Sequence, residues 1–84
     1  FIACTTAAMT TQKMELMTSI AVAFARNPMS LAYLGNDLQN LSEGRFILGL
    51  GSQIKAHIER RFSMPWSKPA ARMREMVLAI QAIW

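Results

Sequence analysis

Disulfide chemistry is the first thing this sequence lacks: one cysteine, Cys4, stands among 84 residues. It cannot form an internal bridge, so a disulfide-stapled secreted miniprotein is excluded and a reducing, cytoplasmic setting is expected. Charge is sparse, at 17% of residues against 52% hydrophobic. A disordered tail needs the opposite balance. Long apolar runs are missing too: Ile20–Ala25 falls far short of the roughly 18 residues a membrane span needs, so no membrane partner is expected. With no basic segment ahead of Phe1, a classical signal peptide is not expected. A chain that opens at Phe1-Ile2-Ala3 and closes on Trp84 is expected to be a piece of something longer. One histidine and one cysteine leave no metal-ligand set of recognisable spacing.

The formal net charge is +4, from nine Lys/Arg and five Asp/Glu. The basic residues do not gather into a stripe. Arg60-Arg61 and Arg72/Arg74 are the densest pairs, and Glu59 and Glu75 sit beside them. Without a basic stripe interleaved with aromatics, nucleic acid is not an expected partner.

What is present is core-building composition in a short chain, and a chain this short buries only about 60–65% of its unfolded surface. From Phe1 to about Lys13 the Ala-, Met- and Thr-rich stretch has no glycine or proline and reads as the body of a helix. Leu16 to Phe24 is β-prone and nearly continuously apolar, as a parallel strand buried on both faces would be. Asn27-Pro28 is a helix start, with Asn27 as N-cap and Pro28 at the first helical position. Leu31, Leu34, Leu38 and Leu41 draw one apolar stripe, and Gly44 supplies a left-handed residue to close the helix. Arg45 to Gly51 is a second buried strand. Ser52 to Trp66 is loop-like, with one helical turn around Ala56–Arg61 and Trp66 plugging its base. Met73, Val77, Ile80 and Trp84 carry the apolar face of a last helix, with Arg72, Arg74 and Glu75 outside it. The seven methionines read as filler on helical apolar faces.

Strands alternating with helices predict βαβ crossovers and an α/β fold with a parallel sheet. Two parallel strands cannot close their own edges, so further strands are expected outside this sequence.

In such folds chemistry lies past the carboxyl ends of the strands. Those ends are Phe24–Asn27 and Gly51-Ser52-Gln53, the latter leading into the loop that carries His57. Gly49-Leu50-Gly51 begins a dinucleotide-type pattern but Ile54 breaks it. The two glycines permit close approach, either of a flat ligand or of neighbouring chain. Thr18 and Ser19 place two hydroxyls in an apolar strand. Each must find a partner on a neighbouring backbone, or mark a bulge aimed at a ligand. His57 is a general acid or base, a solvated polar residue, or a hydrogen-bonding brace. Arg26, Arg60 and Arg61 suit a phosphate or carboxylate, or pairing with Glu43 and Glu59.

The segments Leu16-x-Thr18-Ser19-Ile20-x-Val22-Ala23-Phe24-x-Arg26-x-Pro28 and Asp37-Leu38-x-x-Leu41-Ser42-x-Gly44-Arg45-Phe46-x-Leu48-Gly49-Leu50-Gly51 resemble the luciferase-like monooxygenase family. The run Gly51-Ser52-Gln53-x-Lys55-x-His57-Ile58-Glu59-Arg60-Arg61-Phe62-x-Met64-Pro65-Trp66 points to its deazaflavin (coenzyme F420)-dependent branch. The resemblance covers the whole chain, 1–84. It implies a fragment of a (β/α)8 TIM barrel: about two βα units, with parallel strands three and four and their flanking helices.

It also implies a parent oxidoreductase or monooxygenase that acts on a small organic substrate with coenzyme F420 or FMN, homo-oligomerisation being one expectation for the parent. By resemblance, a non-prolyl cis peptide at Ser19–Ile20 backs the coenzyme ring. Gly51, Ser52 and Gln53 line the mouth of the next strand, and His57 faces the coenzyme or substrate. No residue is assigned as catalytic base. Met17 stands where the family often has glycine. Luciferase's cysteine and arginine are replaced by Gly51 and Ser52, so light emission is not implied. The competing expectation is a small, non-catalytic basic α/β module that docks on a protein partner.

Overall fold

The computed structural model describes residues 1–84. Its elements run α1 (Ile2–Thr10), β1 (Leu16–Met17), β2 (Ala21–Val22), a 3-10 turn (Ala23–Ala25), α2 (Pro28–Leu41), β3 (Phe46–Ile47), β4 (Leu50–Gly51), α3 (Lys55–Arg60) and α4 (Pro69–Ile83). The expected order of helices and strands is therefore observed. β1 pairs with β3 and β2 with β4, both parallel, and α2 forms the crossover between them.

Local chemistry sets several boundaries. Asn27 caps α2, its Oδ1 accepting from Ser30 N at 2.8 Å, with Pro28 in the first helical turn. Gly44 takes φ 87° after Glu43 at 55°, reversing the chain from α2 into β3. α1 ends at Thr10, three residues before the expected Lys13, because Thr11 turns extended and its hydroxyl donates back to Ala7 O at 2.6 Å.

Each expected strand is split in two by a break, at residues 18–20 and 48–49. Nor are the strands buried on both faces. Leu16 and Phe46, opposite one another, are buried against α1 and α2. Their neighbours Met17 and Ile47, also opposite one another, are 55% and 46% exposed. The helices cover one face of the ladder and leave the other open.

Three small clusters form the core. Ala8, Leu16, Leu38 and Phe46 lie at the amino ends of the strands; Ala23, Phe24 and Ile58 lie past their carboxyl ends; Leu31, Ala32 and Ile80 join α2 to α4. The α4 stripe differs from the expected one. Met73, Met76, Ile80 and Ile83 face inward, whereas Val77 is exposed. Trp84 is 60% exposed, yet its Nε1 donates to Ala32 O at 2.8 Å and its ring fills the notch over Gly35. The methionines are mostly not filler either: Met9, Met14, Met17, Met29 and Met64 are exposed.

Arg45 joins the first helix to the second strand. Its Nε donates to Ser42 O, and its two terminal nitrogens donate to Thr11 Oγ1, Met14 O, Ala8 O and Thr11 O, all at 2.8–3.1 Å. The planar fork thus closes the carboxyl end of α1. Ser42, fully buried, accepts from Arg45 N at 3.2 Å. The Leu-Ser-x-Gly-Arg-Phe segment is a structural joint at the amino ends of the strands.

Candidate functional site at the carboxyl ends of the strands

The ladder slips by one residue between its two halves. Phe46 lies opposite Leu16, 30 positions earlier, but Leu50 lies opposite Ala21, 29 positions earlier. The first strand therefore carries one extra residue between Met17 and Ala21, which is a β-bulge. The Ser19–Ile20 peptide within it is cis, as the resemblance implies.

Thr18 and Gly49 bridge the bulge. Thr18 Oγ1 donates to Gly49 O at 2.7 Å and accepts from Gly49 N at 2.9 Å. Gly49 O also accepts from Ala21 N at 2.8 Å, where the ladder resumes. The Thr18 hydroxyl is thus satisfied on a neighbouring backbone, within a bulge. Ser19 is exposed.

The two glycines are explained by chain, not by open space. A Cβ on Gly49 would run into the Thr18 carbonyl. One on Gly51 would run into the Ile20 side chain, with Cγ1 at 2.7 Å and Cβ at 3.1 Å. Of the two readings of Gly49-Leu50-Gly51, close packing on the neighbouring strand is the one observed. Ile20 remains 47% exposed, on the bulge and against the end of β4.

Ile20 and Gly51 are therefore brought together, with Ser19 beside the first and Ser52-Gln53 directly after the second. Gln53 adopts φ 62° and folds back, its Oε1 accepting from Ile54 N at 3.2 Å; Ser52 Oγ donates to Gln53 O at 3.2 Å. These two side chains order the turn into α3.

His57 stands apart on α3, next to Ile58, which is wholly buried against Ala23 and Phe24 past the end of β2. Its Nδ1 is shielded from solvent and has no hydrogen-bond partner. A shielded, unpaired polar atom is rare in folded chains and marks a position where a partner is wanted.

Sequence reasoning missed Arg72, expected outside the packed face. Its guanidinium lies 4.4 Å from the centroid of Phe24 and donates to Pro65 O at 3.0 Å. Trp66 meets Phe24 edge-on at 5.9 Å, as expected of a plug at the loop base. The loop carrying His57 is thus fastened at Ile58, Trp66 and Arg72. The arginine four positions after Lys68 was the available signal, since its first-turn position on α4 points back over the preceding loop. Arg26 lies over the Phe1 ring at 5.2 Å. No group of three or more His, Cys, Asp or Glu side chains is placed to hold a metal, and no helix is long and apolar enough to cross a membrane.

The structure thus brings Ile20 and Gly51 together as an apolar, half-exposed floor at paired strand ends and leaves His57 apart from it. The family model described as luciferase-like monooxygenase matches residues 1–84. An uncharacterised protein of Mycobacterium tuberculosis is 66% identical over 74 residues, covering 88% of this chain and 22% of the relative. A second protein of that organism, named as a proposed coenzyme F420-dependent oxidoreductase, is 36% identical over 74 residues, 88% of this chain and 21% of its own. A phthiodiolone/phenolphthiodiolone dimycocerosates ketoreductase of a Mycobacterium species is 33% identical over 72 residues, 86% of this chain and 19% of its own. The chain spans about a fifth of the length of these curated relatives. No solved structure matches it.

Proposed function

Since the chain belongs to the luciferase-like monooxygenase family, we propose that it forms strands three and four, with their helices, of a (β/α)8 barrel oxidoreductase that uses coenzyme F420 or FMN on a small organic substrate. The observation that carries this reading is the bulge at Thr18–Ile20, which sets Ile20 against Gly51 where two parallel strands end. Barrel enzymes assemble their sites at that end, from several strands. The coenzyme F420 branch is supported by the relative named for that coenzyme. The ketoreductase relative supports carbonyl or alcohol chemistry within the same class.

In this reading Ser19 and Ile20 back the coenzyme ring, while Gly51, Ser52 and Gln53 border it on the next strand. His57, on the helix that follows, lies toward the coenzyme or substrate side. When bound, the coenzyme supplies a donor or acceptor of hydride, or in the flavin case activation of oxygen. The residues of this chain bind and orient. Ile20 gives an apolar surface that excludes water from one ring face, and Gly51 leaves room for Ile20 to lie flat on the strand end. The phosphate-binding residues belong to other parts of the barrel.

The test is a titration of the full-length protein with coenzyme F420 and, separately, with FMN, read by quenching of the coenzyme's fluorescence. Saturable, stoichiometric binding of one of them is expected. Absence of binding to both overturns the proposal.

A further inference from the structure

The bulge that presents Ile20 is held by one side chain. In a parallel ladder each residue on the pairing edge exchanges backbone bonds with the next strand. Where an extra residue is inserted, those bonds are lost and the two strands need another tie. Here the last backbone bond before the bulge, Thr18 N to Ile47 O, is 3.3 Å long, and the first after it is Ala21 N to Gly49 O at 2.8 Å. Between them Gly49 N has no backbone acceptor across the gap. Thr18 Oγ1 accepts from it at 2.9 Å and donates to Gly49 O at 2.7 Å. The hydroxyl stands in for the missing backbone acceptor of Gly49 N and gives Gly49 O, already bonded to Ala21 N, a second donor. Gly49 answers in kind, since any Cβ there would meet the Thr18 carbonyl.

From this we infer that Thr18 is a positioning residue for the coenzyme. Its hydroxyl sets the height at which Ser19 and Ile20 stand above β4, and so fixes the floor on which the ring lies. The inference rests on the coenzyme reading above. It adds a residue that touches no ligand and acts only through Ile20 and Gly49. Valine has nearly the shape of threonine but neither donates nor accepts. It would leave Gly49 N and one lone pair of its carbonyl unpaired, and the bulge would be free to settle toward β4 or away from it.

Thr18→Val, Thr18→Ala and Thr18→Ser are to be compared in the full-length protein. The readouts are the dissociation constants of coenzyme F420 and FMN, the absorption spectrum of the bound coenzyme, and thermal stability. Val and Ala are expected to weaken binding of the preferred coenzyme about tenfold, the scale of one or two lost hydrogen bonds, and to shift its bound spectrum. Ser is expected to stay within about twofold of the parent, because it keeps the hydroxyl. If Val does not fold, the Ser-to-Ala ratio decides.

Val and Ala variants that melt earlier yet bind with unchanged affinity and spectrum would show a purely structural role and overturn the inference. A Ser variant as impaired as Ala would overturn it as well. A parent protein that binds neither coenzyme fails before any variant is compared, and takes the functional reading and this inference down together.

Discussion

Glycine at 49 and glycine at 51 look alike in the sequence and answer to different neighbours. At Gly49 the obstacle to a side chain is the Thr18 carbonyl, part of a backbone held by its own hydrogen bonds. At Gly51 it is the Ile20 side chain, which can change rotamer. Gly49→Ala must therefore move strand against strand and is expected to cost about 3 kcal/mol, while Gly51→Ala costs about 1 kcal/mol. Denaturant melts of the full-length variants measure both. Gly51→Ala displaces Ile20, the proposed floor of the ring, and is expected to weaken coenzyme binding out of proportion to its stability loss. Equal destabilisation by the two substitutions would contradict the assignment of a backbone obstacle at one and a side-chain obstacle at the other.

At the scale of elements, Arg45 is the joint that places α1 on the strands. Five hydrogen bonds leave from its guanidinium, three of them to the last residues of α1 and its carboxyl cap. Arg45→Ala is expected to destabilise the full-length protein by about 2–4 kcal/mol, with amide exchange accelerating first in α1. Arg45→Lys should recover only part of this, because an ammonium cannot reproduce the planar fork. An α1 that exchanges at its parental rate in Arg45→Ala would refute the joint.

Element order, the Asn27-Pro28 start of α2, the Gly44 reversal and the parallel pairing were all legible in local chemistry and apolar spacing. Arg45's partners were not, because Ala8, Thr11 and Met14 lie more than 30 positions away and nothing local marks them. The break in each strand was hidden for a related reason. An apolar run reads as continuous, whereas the register slip belongs to the pair of strands and to neither alone. The same holds for the site. The hydroxyl pair Thr18-Ser19 flagged the bulge, but only the paired structure shows that Thr18 turns to Gly49 while Ser19 stays exposed. The methionines and Val77 were misread because helical spacing says which residues share a face, and not which face the rest of the molecule covers.

Considered whole, the chain is a slab of 40 × 26 × 16 Å with a radius of gyration of 13.6 Å, against about 12 Å for a compact domain of this length. Only 13 of 84 residues are buried, while Met17, Ile20 and Ile47 stand exposed along one side of the parallel ladder. Both outer edges of the ladder carry unpaired backbone groups, since each sheet has two strands only. Helices already cover the opposite side, so what the open side and edges require is more strand. The proposed closed barrel would supply it on both edges and would fill the space in front of Met17 and Ile47 with inward-facing side chains.

The 84 residues expressed alone should accordingly bind a dye such as ANS, melt over a broad range and self-associate as concentration rises. The full-length protein should melt cooperatively with little dye binding. Side-by-side thermal melts, ANS fluorescence and sedimentation test this. A monomeric, sharply melting, dye-silent 84-residue chain would mean that the slab satisfies itself, and the barrel proposal would lose the physical need on which it stands.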